Sequence, residues 1–120
     1  MNDKISINGV LYVPADSFQP AAASKDGMDY VLVRSGQAGV FAGYLDEHVG
    51  DTVRLLESRR IYYWAGAATL SQLALDGTSK PTICKFPAAI PQHTILGVCE
   101  IISVTEKARL SIAGVKVWAE

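Results

Sequence analysis

The sequence predicts an α+β domain: an antiparallel sheet with one main helix packed on a face, a short C-terminal helix and an N-terminal β-hairpin. Three observations predict it. Short apolar or alternating segments recur from Lys4 to Trp64, joined by connections too short for crossover helices. Leu70, Leu73 and Ala74 fall on one face at helical spacing within residues 67–75. Thr105 and Gly114 bracket a second helical stretch as start and stop signals.

The elements follow in order. Lys4-Ile5-Ser6-Ile7 alternates, Asn8-Gly9 is a strong hairpin signal, and Val10-Leu11-Tyr12-Val13 returns before Pro14 ends the strand. Residues 19–27 lack apolar periodicity and read as a linker, so the chain divides into 1–27, hairpin and linker, and 28–120, an α+β ligand-binding core. A lone hairpin is too small to be stable and must pack on the body or on another subunit. Tyr30-Val31-Leu32-Val33-Arg34 is a strand, residues 35–39 a glycine-punctuated turn, and residues 40–45 a second strand. Residues 46–51 read as a polar loop, 52–57 as a third strand and 58–64 as a fourth. After the helix at 67–75, Gly77 suits a left-handed C-terminal position. Residues 78–91 read as loop, with Cys84-Lys85-Phe86 as a short edge strand. The apolar run 94–104 reads as one long central strand. Thr105 caps a helix over 106–113, and Val115-Lys116-Val117-Trp118 is extended.

Composition bounds the function. The 120 residues make one domain, nearly half hydrophobic, with a net charge of −1. That balance lacks the basic excess of a duplex nucleic-acid binder. No apolar run is long enough to span a bilayer, and the N-terminus has no signal-peptide core, so neither a membrane nor export is expected. The expected compartment is a reducing cytoplasm, in which Cys84 and Cys99 stay unpaired, Cys99 as a small core residue within its apolar run. Two cysteines and two histidines, with no CxxC pair, do not suggest a zinc site.

Catalytic patterns are weak. Asp46, Glu47 and Asp51 sit in a polar stretch, where solvated charge is the ordinary state. His48 and His93 have no evident partner, and no nucleophile elbow, Walker A or dinucleotide fingerprint occurs. Neither a cofactor nor a metal is expected.

Binding patterns are stronger. In Arg59-Arg60-Ile61-Tyr62-Tyr63-Trp64, cations and rings precede the small residues of a helix start. Arginine forks match phosphates, aromatic faces stack on bases, and helix N-termini attract anions. The same pattern also describes a half-buried strand with Ile61 and Tyr63 in the core. Strand alternation puts Tyr62 and Trp64 on the opposite face. Arg34 precedes the turn holding Ala38 and Gly39, where glycine lets a backbone approach a ligand. Lys85-Phe86 pairs a cation with a ring, and Thr105 with Arg109 offers a capped helix start beside a cation. Each of these is also an ordinary turn, edge strand or cap. Together they favour an anionic nucleotide, with Arg34, Ala38, Gly39, Arg59, Arg60, Tyr62, Trp64, Lys85, Phe86, Thr105 and Arg109 as candidate contacts.

The order Val31-Leu32-Val33-Arg34, Ala38-Gly39-Val40, Gly43, residues 59–64, residues 66–74, Gly77, Cys84-Lys85-Phe86, Glu100-Ile101-Ile102, Thr105-Glu106 and Val117-Trp118 resembles a group of small bacteriophage and prophage proteins. The group is similar to the first type of Thoeris anti-defence protein. The resemblance spans residues 30–118, and Ser35-Gly36-Gln37 departs from the bulkier turn of the group. It implies a sponge that holds cyclic ADP-ribose isomers, and in some members cyclic oligonucleotides, without cleaving them, in the cytoplasm of an infected bacterium. A pocket tight enough for that role suits a subunit interface, so a homo-oligomer is expected. The alternatives are a nucleotide-cleaving phage enzyme and a phage structural or assembly module.

Overall fold

The computed structural model describes residues 5–7, 10–12 and 20–120. β1 (Ile5–Ile7) and β2 (Val10–Tyr12) pair antiparallel, Ile5 opposite Tyr12 and Ile7 opposite Val10. The Asn8-Gly9 turn and the stop at Pro14 lie outside the described residues. The core carries β3 (Tyr30–Ser35), β4 (Gly39–Val49), β5 (Thr52–Arg60), α1 (Leu70–Asp76), β6 (Ile90–Ile95), β7 (Val98–Ser103) and α2 (Glu106–Gly114). The fold is α+β, with one five-stranded antiparallel sheet in the order β6-β5-β4-β3-β7.

That order forces a curl. β6 and β7 are opposite edges, which in a flat sheet would lie roughly 19 Å apart at ~4.8 Å per strand. Ile95 and Val98 are three residues apart, a span of at most about 11 Å. Leu96-Gly97 therefore draws the edges together, with Gly97 at φ 68°. The Ser35 hydroxyl donates to the Leu96 carbonyl at 2.8 Å, and the Val98 N–H donates to the Asp51 carbonyl at 2.8 Å. Inside the curl the sheet packs on itself through Val31, Val33, Phe41, Val53, Leu55 and Ile95.

The other face carries both helices. Leu32, Ala42, Ile61, Leu73, Phe86, Val104, Ala108 and Ile112 form that core. Burying each large apolar side chain contributes about 1.5–3 kcal/mol of transfer free energy. Thr69 starts α1 by accepting from the Gln72 N–H at 3.1 Å, while the Gln72 side chain accepts from the Ala68 N–H at 2.7 Å. Gly77, at φ 76°, closes it by donating to the Leu73 carbonyl at 2.9 Å. Thr105 caps α2 by accepting from the Ala108 N–H, and its hydroxyl donates back to the Leu75 carbonyl at 2.6 Å. One threonine thus ties the end of α1 to the start of α2.

Several expectations need correction. The strand expected at 40–45 continues to Val49, and the polar stretch 46–51 becomes its end plus a two-residue turn at Gly50-Asp51. Arg54 stabilises that ribbon by bonding Asp46 at 2.7 Å and Glu47 at 3.1 Å. The expected third and fourth strands are one, β5, with a bulge: Glu57 and Ser58 together face Gly43. Residues 61–64 leave the sheet. The apolar run 94–104 is not one central strand but parts of two edge strands, apolar because Ile95, Val98 and Ile101 line the curl while Ile102 and Val104 pack into the helix-side core. Cys99 is consequently exposed, while Cys84 is buried. The helix foreseen as the main one, α1, has 7 residues, fewer than the 9 of α2, because Thr69 rather than Ala67 begins it. Residues 20–29 are docked rather than loose: Glu106 N–H donates to Pro20, Ala22 N–H to Val104 and Leu45 N–H to Asp29, all at 2.8–2.9 Å.

Candidate functional site

The helix-bearing face of β3, β4 and β5 meets the end of α2 in a cleft of about 290 Å³. Tyr30, Tyr44, Glu57, Arg59 and Arg109 supply its polar lining, and Ala89, Ala113, Val115 and Val117 its apolar walls. Tyr30 and Tyr44 are direct cross-strand neighbours, with ring centroids 5.0 Å apart, edge to face. Neither hydroxyl bonds to any described residue. Burial, then the neighbouring Tyr44, pushes the Tyr30 phenol up to about 12, so it stays protonated and able to donate.

Arg59 is the charged centre of the cleft. It lies opposite Ala42 on the helix-facing side of β5 and is 7 % exposed. Its Nε donates to the Pro87 carbonyl at 2.9 Å and Nη1 to Ile112 at 2.7 Å. Nη2 donates to Val115 at 2.6 Å and to Phe86 at 3.2 Å. These bonds gather the end of α2, the Phe86-Pro87 segment and the C-terminal segment around one guanidinium. Four of the five guanidinium N–H groups are thus used, and the fifth has no partner among the described residues. No described carboxylate pairs with it. Burial lowers its affinity for its proton. Arg109 is balanced differently: it grips Glu106 with two bonds, 2.9 and 2.6 Å, one turn back along α2. That pairing holds the Glu106 carboxyl below the usual range. At the rim, Lys25 pairs with Glu57, and its ammonium lies 5.6 Å from the centre of the Tyr44 ring.

The structure disperses the other sequence candidates. Tyr62 stacks on Trp118, centroids 5.0 Å apart and planes 9° off parallel, and both are exposed. Lys85 lies over Trp118 and over Tyr63, at 5.6 and 5.9 Å. These side chains form an aromatic platform across the C-terminal segment from the cleft; Val117 lines the cleft and also a neighbouring groove beside Trp118. Trp64 is half-buried against the helix-side core, and Tyr63, expected inside, is exposed. Phe86 is fully buried under Arg59, so its ring is not available to stack on a ligand. Thr105 is buried, its hydroxyl committed to the two helix ends. Arg34 bonds Glu100 at 2.8 Å on the exposed sheet surface. Ala38 and Gly39 form a turn against Arg60, which donates to the Ala38 carbonyl at 2.8 Å and covers Phe41 at 4.5 Å.

Sequence reasoning therefore named two cleft residues, Arg59 and Arg109, and missed Tyr30, Tyr44 and Glu57. The tyrosine pair was legible in principle: strands of 30–34 and 40–45 about a turn at 35–39 set Tyr30 opposite Tyr44. Glu57 carried no such signal, because its place depends on the bulge. His93, without a partner in the sequence, has its Nδ1 3.3 Å from the Ser58 hydroxyl and its ring edge-on to Phe41. Among the described residues no three His, Cys, Asp or Glu side chains gather to hold a metal ion.

The family model described as "Domain of unknown function (DUF6948)" matches residues 28–112. The chain belongs to the DUF6948 family. No curated protein and no solved structure matches it. The DUF6948 segment contains all five polar residues of the cleft, together with Tyr62 and Lys85. Val115, Val117 and Trp118, which close one wall and complete the platform, follow it.

Proposed function

We propose that this chain binds and sequesters a small phosphorylated nucleotide without cleaving it, as a phage anti-defence sponge for cyclic ADP-ribose isomers and, more broadly, cyclic oligonucleotides. One observation carries the reading. Arg59 is a buried cation that lines a cleft beside two tyrosine hydroxyls, and among the described residues neither it nor they have a carboxylate partner. A phosphate there gains a charge-assisted bond and neutral donors in a partly desolvated site. The sequence resemblance supplies the identity of the ligand and the setting, the cytoplasm of an infected bacterium. No described helix is long and apolar enough to cross a membrane.

The cleft lies at the lower end of the ~300–1,000 Å³ typical of ligand pockets. A cyclic nucleotide with two phosphates needs more enclosure, which a second copy of the chain supplies in this reading. The exposed Tyr62–Trp118 platform offers it apolar contact area or a face for the base. The enzyme alternative has one observation in its favour, the Ser58–His93 pair. Ser58, however, is 2 % exposed inside β5, and no carboxylate among the described residues bonds His93 to orient it as a base.

The test is incubation with a panel of cyclic ADP-ribose isomers and cyclic dinucleotides, followed by heat release and mass spectrometry. Calorimetry and sedimentation run in parallel. The expected result is intact nucleotide returned, and a particle larger than the 12.9 kDa monomer. Arg109→Gln and the Tyr30→Phe, Tyr44→Phe pair should weaken binding at least tenfold while melting as the parent does. Cleaved product would establish the enzyme, and no binding with a tight oligomer the assembly module.

A further inference from the structure

Glu57 is the residue at which backbone comfort and side-chain chemistry conflict. It sits in the β5 bulge at φ 52°. Among the described residues, the other positive-φ positions hold glycine, or, at Asp26, a short polar side chain that tolerates this region. Glycine is the natural occupant of such a bulge position. A long side chain there is strained, and strained residues cluster where a site requires them. Within the fold, the carboxylate gains little in return. Its partner is Lys25, and both side chains are about half exposed, at 52 % and 51 %. Exposed pairs of this kind add little stability.

What the bulge does achieve is placement. It sets the carboxylate on the rim of the cleft that holds Arg59, Arg109, Tyr30 and Tyr44. A carboxylate beside an anion site repels a bare phosphate. Ionised, it only accepts hydrogen bonds. It therefore suits a ligand that carries donors next to its phosphate, and two oxygens side by side match two adjacent hydroxyls. Resting on the reading of the cleft as a phosphate site, we infer that Glu57 recognises sugar. Its carboxylate accepts from the 2′- and 3′-hydroxyls of a ribose whose phosphate lies toward Arg59 and the tyrosines. Lys25, at the surface, gives way when the ribose arrives. The cleft then selects ribosyl phosphates over inorganic phosphate and over deoxy sugars.

The experiment is calorimetry of the full chain, Glu57→Gln and Glu57→Gly with three probes: inorganic phosphate, adenosine 5′-monophosphate and its 2′,3′-dideoxy analogue. The wild type should prefer the ribonucleotide over the dideoxy analogue at least tenfold. Both variants should bring that ratio to within about twofold, while binding inorganic phosphate as well as the parent or better. Glu57→Gly should also melt at a higher temperature, since it relieves the backbone. A structural role alone would not move the hydroxyl preference. If a variant keeps the preference, or the wild type binds nucleotide and phosphate without one, the sugar assignment is overturned and the phosphate site stands. If the wild type binds neither phosphate nor nucleotide, both fall. A Glu57→Gly melting point no higher than the parent's overturns the strain argument.

Discussion

Replacing Arg59 by methionine should cost more stability than any surface change in this chain. Methionine keeps the apolar stem but removes every donor. All four carbonyls lose a bond, but Ile112 and Phe86 keep the N–H groups of Val115 at 3.2 Å and Trp118 at 3.0 Å, so Pro87 and Val115 are the two left stranded. Stranding a buried acceptor costs about 1–3 kcal/mol. The upper sum is not reached, because the adjoining cleft admits water to part of this group. Two stranded acceptors and two weakened ones put the expected loss at about 3–5 kcal/mol. It is a large part of the ~5–15 kcal/mol that holds a domain of this kind folded. Urea unfolding followed by tryptophan fluorescence measures it. At a slope of about 1.5 kcal/mol/M, the midpoint should fall by roughly 2–3 M. Arg59→Lys should recover only part, since an ammonium cannot span four carbonyls. An Arg59→Met variant within about 1 kcal/mol of the parent, at unchanged slope, would refute the claim that this guanidinium organises the end of α2.

Two further outcomes are expected. Gly66→Ala should cost roughly 2–4 kcal/mol in the same assay. A Cβ there, at φ 82°, would lie 2.5 Å from the Lys80 nitrogen and 2.7 Å from that of Ser79, whereas at Gly27, φ 79°, it meets nothing within 4 Å; equal losses at the two sites would contradict the packing argument. His93 gives a pH dependence. Burial, then Arg60, holds its imidazole below the ordinary 6.5, so below that pH the unfolded chain takes up the proton more readily than the folded one. The associated stability is complete above pH 6.5 and declines as pH falls toward the lower folded value. Melting temperatures at pH 7.5 and 5.5 should therefore differ more for the parent than for His93→Gln, and equal differences would remove His93 as the cause.

The sequence alone determined what local rules decide. Asn8-Gly9 marked the N-terminal hairpin, whose paired strands β1 and β2 are present. Gly36 and Gly39 punctuate the turn between β3 and β4, and Thr105 and Gly77 stand at helix ends. Each acts through its own backbone or through neighbours within a turn, so the signal lies where the structure does. The class, an antiparallel sheet with two helices, followed from those pieces.

The tertiary structure decided what depends on distant partners. The run 94–104 is apolar whether it forms one strand or the ends of two, and only the strand order shows that it bends at Leu96-Gly97 and serves both edges. The bulge at Glu57 is one extra residue against Gly43; it inverts the alternation only for the last residues of β5, too short a stretch to show a change of phase. Arg59 looked like a ligand arginine because its neighbours are cationic and aromatic. Its actual partners are carbonyls 27 to 56 positions along the chain. Phe86, paired with Lys85 in sequence, is buried in the helix-side core with that same guanidinium over its ring. A side chain's company in a folded cleft is set by which strands pair and where they slip, and adjacency in the sequence carries neither.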